Sequence, residues 1–326
     1  MDFVVKKIMM VLENPVHNLY IPSNIGIGTI IDAIFPSLMD RFYFHCERKM
    51  KGCLENARVA VVTGASSGIG KAVASDLCSR GLTVIMIARN KEKLFSTSKE
   101  ISTLGGNPVP LTLDIQDYEA VKQAVKKIIM DYGQIDILVN NAGYSVSGPV
   151  ENVPIEKYVS NMETNFFGSI QIVKEVLPHM QQEGKGHIVN VLSTNAIRGI
   201  PNLSSYGATK FALRAFSRCL DREMAKGHIN IKVSEVFPAS VDTPFFVENI
   251  DNSNGVIVPT PTPQRRKLLS AEKVAKSILI LLETGKTRKF LPLKSYLLLV
   301  GNTVFPSLVD LFFLKRKKLT QTKNGL

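Results

Sequence analysis

From Arg58 onward the chain alternates two hydrophobic patterns. Short apolar, β-branched runs fall at 58–63, 83–88, 109–113, 136–139, 187–192, 230–236 and 288–291. Runs without polar alternation predict strands covered on both faces. Longer stretches with apolar residues at helical period lie between them, at 68–80, 91–103, 117–131, 155–183, 204–226 and 271–284. Strand and helix in regular alternation predict an α/β fold, a doubly wound parallel sheet in one domain. The polar, Pro-rich stretch 251–264 breaks the pattern as a loop.

The two ends carry a different pattern. Ile25–Phe44 and Tyr296–Leu314 are apolar but interrupted, the first by Asp32, Pro36, Asp40 and Arg41, the second by Gly301, Asn302, Pro306 and Asp310. A membrane span needs ~20 largely apolar residues, so neither reads as one. Each reads as a kinked, apolar helical segment lying in a membrane interface, with packing on a sister subunit as the alternative. The ends also repeat each other. Phe35-Pro36-Ser37-Leu38 recurs as Phe305-Pro306-Ser307-Leu308, an offset of 270 (305 − 35) that also aligns Pro22 with Pro292 and Glu13 with Glu283. Residues 1–56 therefore resemble the tail of an upstream copy. The expected division is an extension over 1–56, the α/β domain over 57–294, and an apolar then basic segment over 295–326. Asp2 and the lack of a small-residue cleavage site argue against a signal peptide.

Charge sharpens this picture. The formal net charge is +12, more than one anionic cofactor needs. Lys315-Arg316-Lys317-Lys318 directly follows an apolar run, which points to a membrane surface, facing a reducing, cytoplasmic compartment, with a soluble chain as the alternative. No nucleic-acid motif accompanies the basic residues. Four cysteines without a C-x2-C pair and five scattered histidines predict neither a disulfide framework nor a metal site.

The first strand runs into Thr63-Gly64-Ala65-Ser66-Ser67-Gly68-Ile69-Gly70. Strand, glycine turn and helix in that order form a place for a dinucleotide pyrophosphate, because glycines admit close backbone approach and the helix N-terminus favours anions. A tight turn without a ligand is the plain alternative. The second strand ends at Ala88-Arg89, 19 residues past Gly70 (89 − 70). An acidic residue ~20 positions on would hold a ribose 2′-hydroxyl. Arg89 there suits a 2′-phosphate, with no carboxylate expected beside it. The reading is NADP(H) in preference to NAD(H), against a solvated loop arginine.

Tyr206 and Lys210 are four apart on a predicted helix and share one face. An ammonium beside a phenol favours the phenolate, and the pair is suited to proton transfer at an alcohol oxygen. Singly, Tyr206, Lys210, Ser193 and Asn165 each have an ordinary structural use. Jointly, behind a glycine loop, they point to chemistry.

In these motifs the chain resembles the short-chain dehydrogenase/reductase family over about Ala57–Leu291. The resemblance rests on Gly64–Gly70, on Asn140-Asn141-Ala142-Gly143, on Asp114 after the third strand, on Asn165, and on Ser193, 13 residues before Tyr206 (206 − 193), with Lys210 following. It implies a Rossmann-like domain and an enzyme acting on CH–OH groups by hydride transfer. It implies Asn165, Ser193, Tyr206 and Lys210 as catalytic residues, with Asn165 holding a water that connects Lys210 to solvent. It implies cofactor contacts from Gly64, Ser66, Ser67, Gly68, Ile69, Gly70, Arg89, Asp114, Asn141, Ala142, Gly143, Tyr206, Lys210, Pro238 and Thr243. Asn140, Asn141 and Gly143 would brace the fourth strand. Leu192-Ser193 and Pro238-Ala239 depart from the family's frequent Ser-Ser and Pro-Gly. Phe245–Ser270 falls where the family keeps a substrate lid. The expected activity is interconversion of a carbonyl and a secondary alcohol, on a lipophilic steroid, retinoid or long-chain ketone, in a homodimer or homotetramer. The alternatives are a soluble oligomeric reductase of a small carbonyl and a catalytically silent nucleotide-binding scaffold.

Overall fold

The computed structural model describes residues 54–227, 229–246, 250–251 and 268–304. The expectations for residues 1–53, for most of the lid and for 305–326 lie outside the described residues.

Seven strands form one parallel sheet: β1 (Val59–Thr63), β2 (Thr83–Ala88), β3 (Asn107–Thr112), β4 (Ile137–Asn140), β5 (Gly186–Val191), β6 (Ile231–Pro238) and β7 (Arg288–Leu291). The spatial order is β7-β6-β5-β4-β1-β2-β3. The helices are α1 (Gly68–Cys78), α2 (Lys91–Thr103), α3 (Tyr118–Tyr132), α4 (Ile155–Met162), α5 (Gly168–Gln182), α6 (Ser204–Lys226), α7 (Ala271–Thr284) and α8 (Lys294–Val304). This is a doubly wound, Rossmann-like sheet. Its order reverses between β1 and β4, and a ligand crevice forms at the carboxyl ends of strands beside such a reversal.

Local chemistry explains the helix ends. Asn90, Asp117 and Ser270 accept from the backbone N–H of Lys93, Ala120 and Lys273 and start α2, α3 and α7. Gly133 and Gly285 end α3 and α7 in the left-handed region, at φ 75° and 67°. Along β1 the side chains alternate between two cores. Ala60 and Val62 join Val73 and Leu77 of α1, Leu94 of α2 and Ile278 of α7 on one face. Val59 and Val61 join Val121 of α3, Ile172 of α5 and Leu220 of α6 on the other. Both faces are buried, as the uninterrupted apolar runs require.

Three differences from the sequence reading have physical causes. The stretch read as one helix, 155–183, is helical to Gln182 but passes through a π-helical turn at Glu163–Phe167, which hydropathy does not encode. β3 starts at Asn107, because Pro108 and Pro110 are admissible on an edge strand. Val241–Asp242 pairs with Leu269–Ser270, and Val146–Ser147 with Ile250–Asp251, as two-residue ladders too short for a periodic signal. The helix α8, Lys294–Val304, overlaps the start of the stretch read as a kinked, apolar helical segment. Among the described residues no helix is long and apolar enough to cross a membrane.

Opposite the carboxyl ends, Asp136 ties down the strand starts. It is 4 % exposed. Its carboxylate accepts from Arg58 N (2.8 Å), Val59 N (3.0 Å) and Gln134 Nε2 (2.6 Å), and pairs with Lys185 Nζ at 3.3 Å.

Candidate active site

β1 delivers Gly64 into a turn with φ 66°, and Gly68 opens α1 with φ 54°. Only glycine holds such angles without strain. A methyl group at Gly64 would sit 2.9 Å from Ala142 Cα, and one at Gly68 would sit 3.0 Å from Thr243 Cγ2. One at Gly70 would collide with the Gly64 carbonyl oxygen and lie 2.6 Å from Asn141 Nδ2. The turn is thus closed by β4's loop on one side and by Thr243 on the other. Ser67 caps α1 in extended conformation with no side-chain bond to the helix. The first N–H groups of α1 are therefore left for an anion. Ser66 is held through its carbonyl, which accepts from Thr97 Oγ1 at 3.0 Å. A cradle built of bare backbone and an uncapped helix start fits a dinucleotide pyrophosphate.

Thr63 and Asn141 lock this cradle. The Thr63 hydroxyl accepts from Asn141 N and Ala142 N, both at 2.9 Å. Asn141 Nδ2 donates to Thr63 O at 3.0 Å and Gly64 O at 3.3 Å. Asn140 Nδ2 donates to Asn190 Oδ1 at 3.0 Å, and Asn190 Nδ2 donates to Ser217 Oγ at 2.8 Å, linking β4, β5 and α6. Gly143 leaves room for Asn165, whose Oδ1 would be 2.9 Å from a methyl group there.

At the end of β2, Arg89 is half-exposed, and its Nη1 lies 4.0 Å from Asp114 Oδ2 beyond β3. The sequence reading expected no carboxylate beside Arg89. Parallel pairing of β2 with β3 aligns Ala88 with Thr112 and so brings the two loop residues together. Pro238 ends β6, and Ala239 N donates to Leu291 O at 2.7 Å.

Ser193, Tyr206 and Lys210 converge beyond β5. Ser193 follows the strand in extended conformation, and its hydroxyl accepts from Asn195 N at 3.1 Å. Tyr206 and Lys210 stand one turn apart on α6, with the ammonium 5.7 Å from the phenol ring centroid. Lys210 Nζ donates to Val191 O at 2.8 Å. Burial pushes the Tyr206 phenol up to about 12, with a hydrogen bond to the Ser193 side chain pulling the other way. Burial brings the Lys210 ammonium down to about 8. Any lowering of the Tyr206 pKa by Lys210 is outweighed by burial, which raises it. Desolvation disfavours a phenolate more than the Ser193 hydrogen bond favours it.

Asn165 lies in the π-helical turn and is fully buried. Its Oδ1 accepts from Tyr144 N at 2.9 Å, and its Nδ2 donates to Tyr144 O at 2.8 Å and Thr209 Oγ1 at 3.1 Å. The side chain is thus committed to protein partners. A water held by Asn165 would need another of its atoms. The Phe245 ring tilts against Tyr206 at 5.7 Å between centroids.

Comparison with known proteins decides the family. Residues 58–254 match the short chain dehydrogenase family. The chain belongs to it. An uncharacterized oxidoreductase of Staphylococcus aureus is 30 % identical over 229 residues, 70 % of this chain and 92 % of that one. A "Dehydrogenase/reductase SDR family protein 7-like" protein of Anopheles gambiae is 36 % identical over 193 residues, 58 % of this chain and 60 % of that one. Among solved structures, a short-chain dehydrogenase from Streptomyces avermitilis matches with TM-score 0.68 and 28 % identity, over 82 % of this chain and 99 % of its own. A metagenomic short-chain oxidoreductase in complex with NADP matches with TM-score 0.58 and 26 % identity, over 72 % and 93 %. As a member of the family the chain is an NAD(P)-dependent dehydrogenase/reductase.

Sequence reasoning assigned no site role to Thr63, Tyr144, Asn161 or Thr209. Thr63 had a signal, since it heads the glycine motif. The others gave none, because their partners are distant in sequence.

Proposed function

We propose that the protein is an NADP(H)-dependent carbonyl reductase, interconverting a ketone and a secondary alcohol, with Tyr206 as general acid and base. The observation that carries this is the grouping of Ser193, Tyr206 and Lys210 at the same, carboxyl, edge of the parallel sheet as the uncapped start of α1. Gly64–Gly70, Asn141–Gly143, Pro238 and Thr243 would hold the dinucleotide, and Arg89 its 2′-phosphate. When bound, the nicotinamide supplies or accepts the hydride. Tyr206 gives a proton to the carbonyl oxygen in reduction and takes it back in oxidation. Ser193 orients and polarises the substrate oxygen. Lys210 keeps two protons beyond the one given to Val191 O, for a ribose hydroxyl and a water. Positioned proton transfer of this kind contributes roughly 10²–10⁴ in rate.

A lipophilic substrate is supported by the Phe245 ring against Tyr206, which makes an apolar wall at the reacting oxygen. The basic, apolar C-terminal sequence supports peripheral membrane contact. The Arg89–Asp114 proximity favours a second reading with NAD(H), since a carboxylate beside Arg89 offsets part of its charge. Fluorescence titration of NADPH and NADH on the wild type and on Arg89→Asp separates the two. Tighter NADPH binding, reversed in the variant, supports the first reading. Equal affinities in both proteins would remove Arg89 from the site. Absence of binding by either nucleotide would end the enzyme reading.

A further inference from the structure

The facing sides of α4 and α6 carry two polar rungs, in register with the candidate catalytic pair. Asn161 sits on α4, and Asn165 four residues on in the π-helical turn. Both donate from Nδ2 to one acceptor, the Tyr144 carbonyl, at 2.9 and 2.8 Å, using both of its lone pairs. Each also reaches a hydroxyl on α6. Ser205 Oγ donates to Asn161 Oδ1 at 3.1 Å, and Asn165 Nδ2 donates to Thr209 Oγ1 at 3.1 Å. Ser205 and Thr209 are one turn apart and immediately precede Tyr206 and Lys210. Thr209 Oγ1 further donates to the Tyr206 carbonyl at 2.8 Å. All four polar side chains are at most 2 % exposed.

Asn161 is the one buried residue of α4, whose apolar Ile155 and Val159 are exposed, so hydropathy alone does not call for burial there. A buried amide costs stability unless its polar atoms are paired, and here each has a partner. The arrangement joins the loop after β4, which closes the glycine cradle, to the start of the helix bearing Tyr206. We infer that Asn161 is a positioning residue for Tyr206: through Ser205 and the Tyr144 carbonyl it fixes the first turn of α6 relative to the cofactor cradle. The inference rests on the carbonyl-reductase reading. Asn161 touches no reacting atom, and its effect passes through the placement of the phenol. Misplacement of about 1 Å can cost up to 10²-fold in rate.

The test compares wild type, Asn161→Ala, Ser205→Ala and the double variant. NADPH-dependent reduction is followed at 340 nm with 2-decanone, a decalone and a small polar ketone, alongside NADPH affinity and urea unfolding midpoints. The expected result is a tenfold or greater fall in kcat in each single variant, with NADPH affinity within about twofold. The double variant should fall no further than the worse single one, because both changes remove the same Ser205–Asn161 hydrogen bond. Asn161→Asp, whose protonated acid keeps the acceptor for Ser205 and a donor for the Tyr144 carbonyl, should recover part of kcat relative to Asn161→Ala at low pH and lose it as the acid ionises. Wild-type kcat in Asn161→Ala, or a loss of stability alone with turnover per folded molecule unchanged, would overturn the inference and leave the reductase reading standing. Failure of the wild type to reduce any of the three ketones would remove the reductase reading, and the inference with it.

Discussion

At the scale of single residues, burial moves the Tyr206 and Lys210 pKa values in opposite directions. Lys210 falls from 10.5 to about 8, and Tyr206 rises from 10.0 to about 12. Between pH 8 and 10.5 an unfolded chain holds a proton on Lys210 that the folded chain has lost. Stability from this group therefore rises with pH across that window. Between pH 10 and 12 the folded chain keeps the Tyr206 proton that the unfolded chain loses, so that contribution falls. The stability of the wild type minus that of Lys210→Met should climb between pH 8 and 10.5, by about 1–3 kcal/mol. Urea unfolding at a series of pH values measures it. A flat difference would mean that Lys210 is solvated in the folded protein. The residue types of this site were legible in the sequence, because Ser193, Tyr206 and Lys210 keep a fixed mutual spacing. Their ionisation was not legible, because desolvation depends on what covers them. Asn161 was equally silent, since its partners Tyr144 and Ser205 are separated from it by 17 and 44 residues.

At the scale of elements, the β1 turn and α1 form one rigid piece. Gly70→Ala places a methyl group against the Gly64 carbonyl and Asn141 Nδ2, neither of which can swing aside while Asn141 bonds Thr63. The variant should lose about 1–3 kcal/mol of stability, as overpacking does, and NADPH affinity should fall at least tenfold. Gly81→Ala is the control. Gly81, unlike Gly70, has positive φ, at 85°, and a methyl group there meets nothing within 4 Å. It should cost some stability through strain and leave affinity unchanged. Equal NADPH affinity in wild type and Gly70→Ala would exclude this turn as the pyrophosphate cradle. The strand and helix positions were legible because buried parallel strands write continuous apolar runs. The π-helical turn at Glu163–Phe167 was not, because it changes hydrogen-bond register without changing hydropathy.

At the scale of the whole molecule, the parallel sheet separates stability from chemistry. The candidate site lies at the carboxyl ends of β1, β4 and β5, and Asp136 lies at the opposite ends. Asp136→Asn cannot satisfy Arg58 N, Val59 N and the Lys185 ammonium equally well. It should cost about 1–3 kcal/mol, with the NADPH to NADH affinity ratio unchanged. A shifted ratio would show that the two ends of the sheet are coupled. Arg89→Asp is its mirror image, changing nucleotide preference at little cost in stability. The sequence by itself determined the class of fold and named the residues proposed for the site. Apolar runs of the two periods leave no other packing that buries them, and glycines tolerate positive φ where other residues do not. Only the tertiary structure decided the π-helical turn, the approach of Asp114 to Arg89, the uncharged state of the Tyr206 phenol and the clamp from Asn161 to Ser205. Each depends on groups far apart in the chain meeting in a space that water has left.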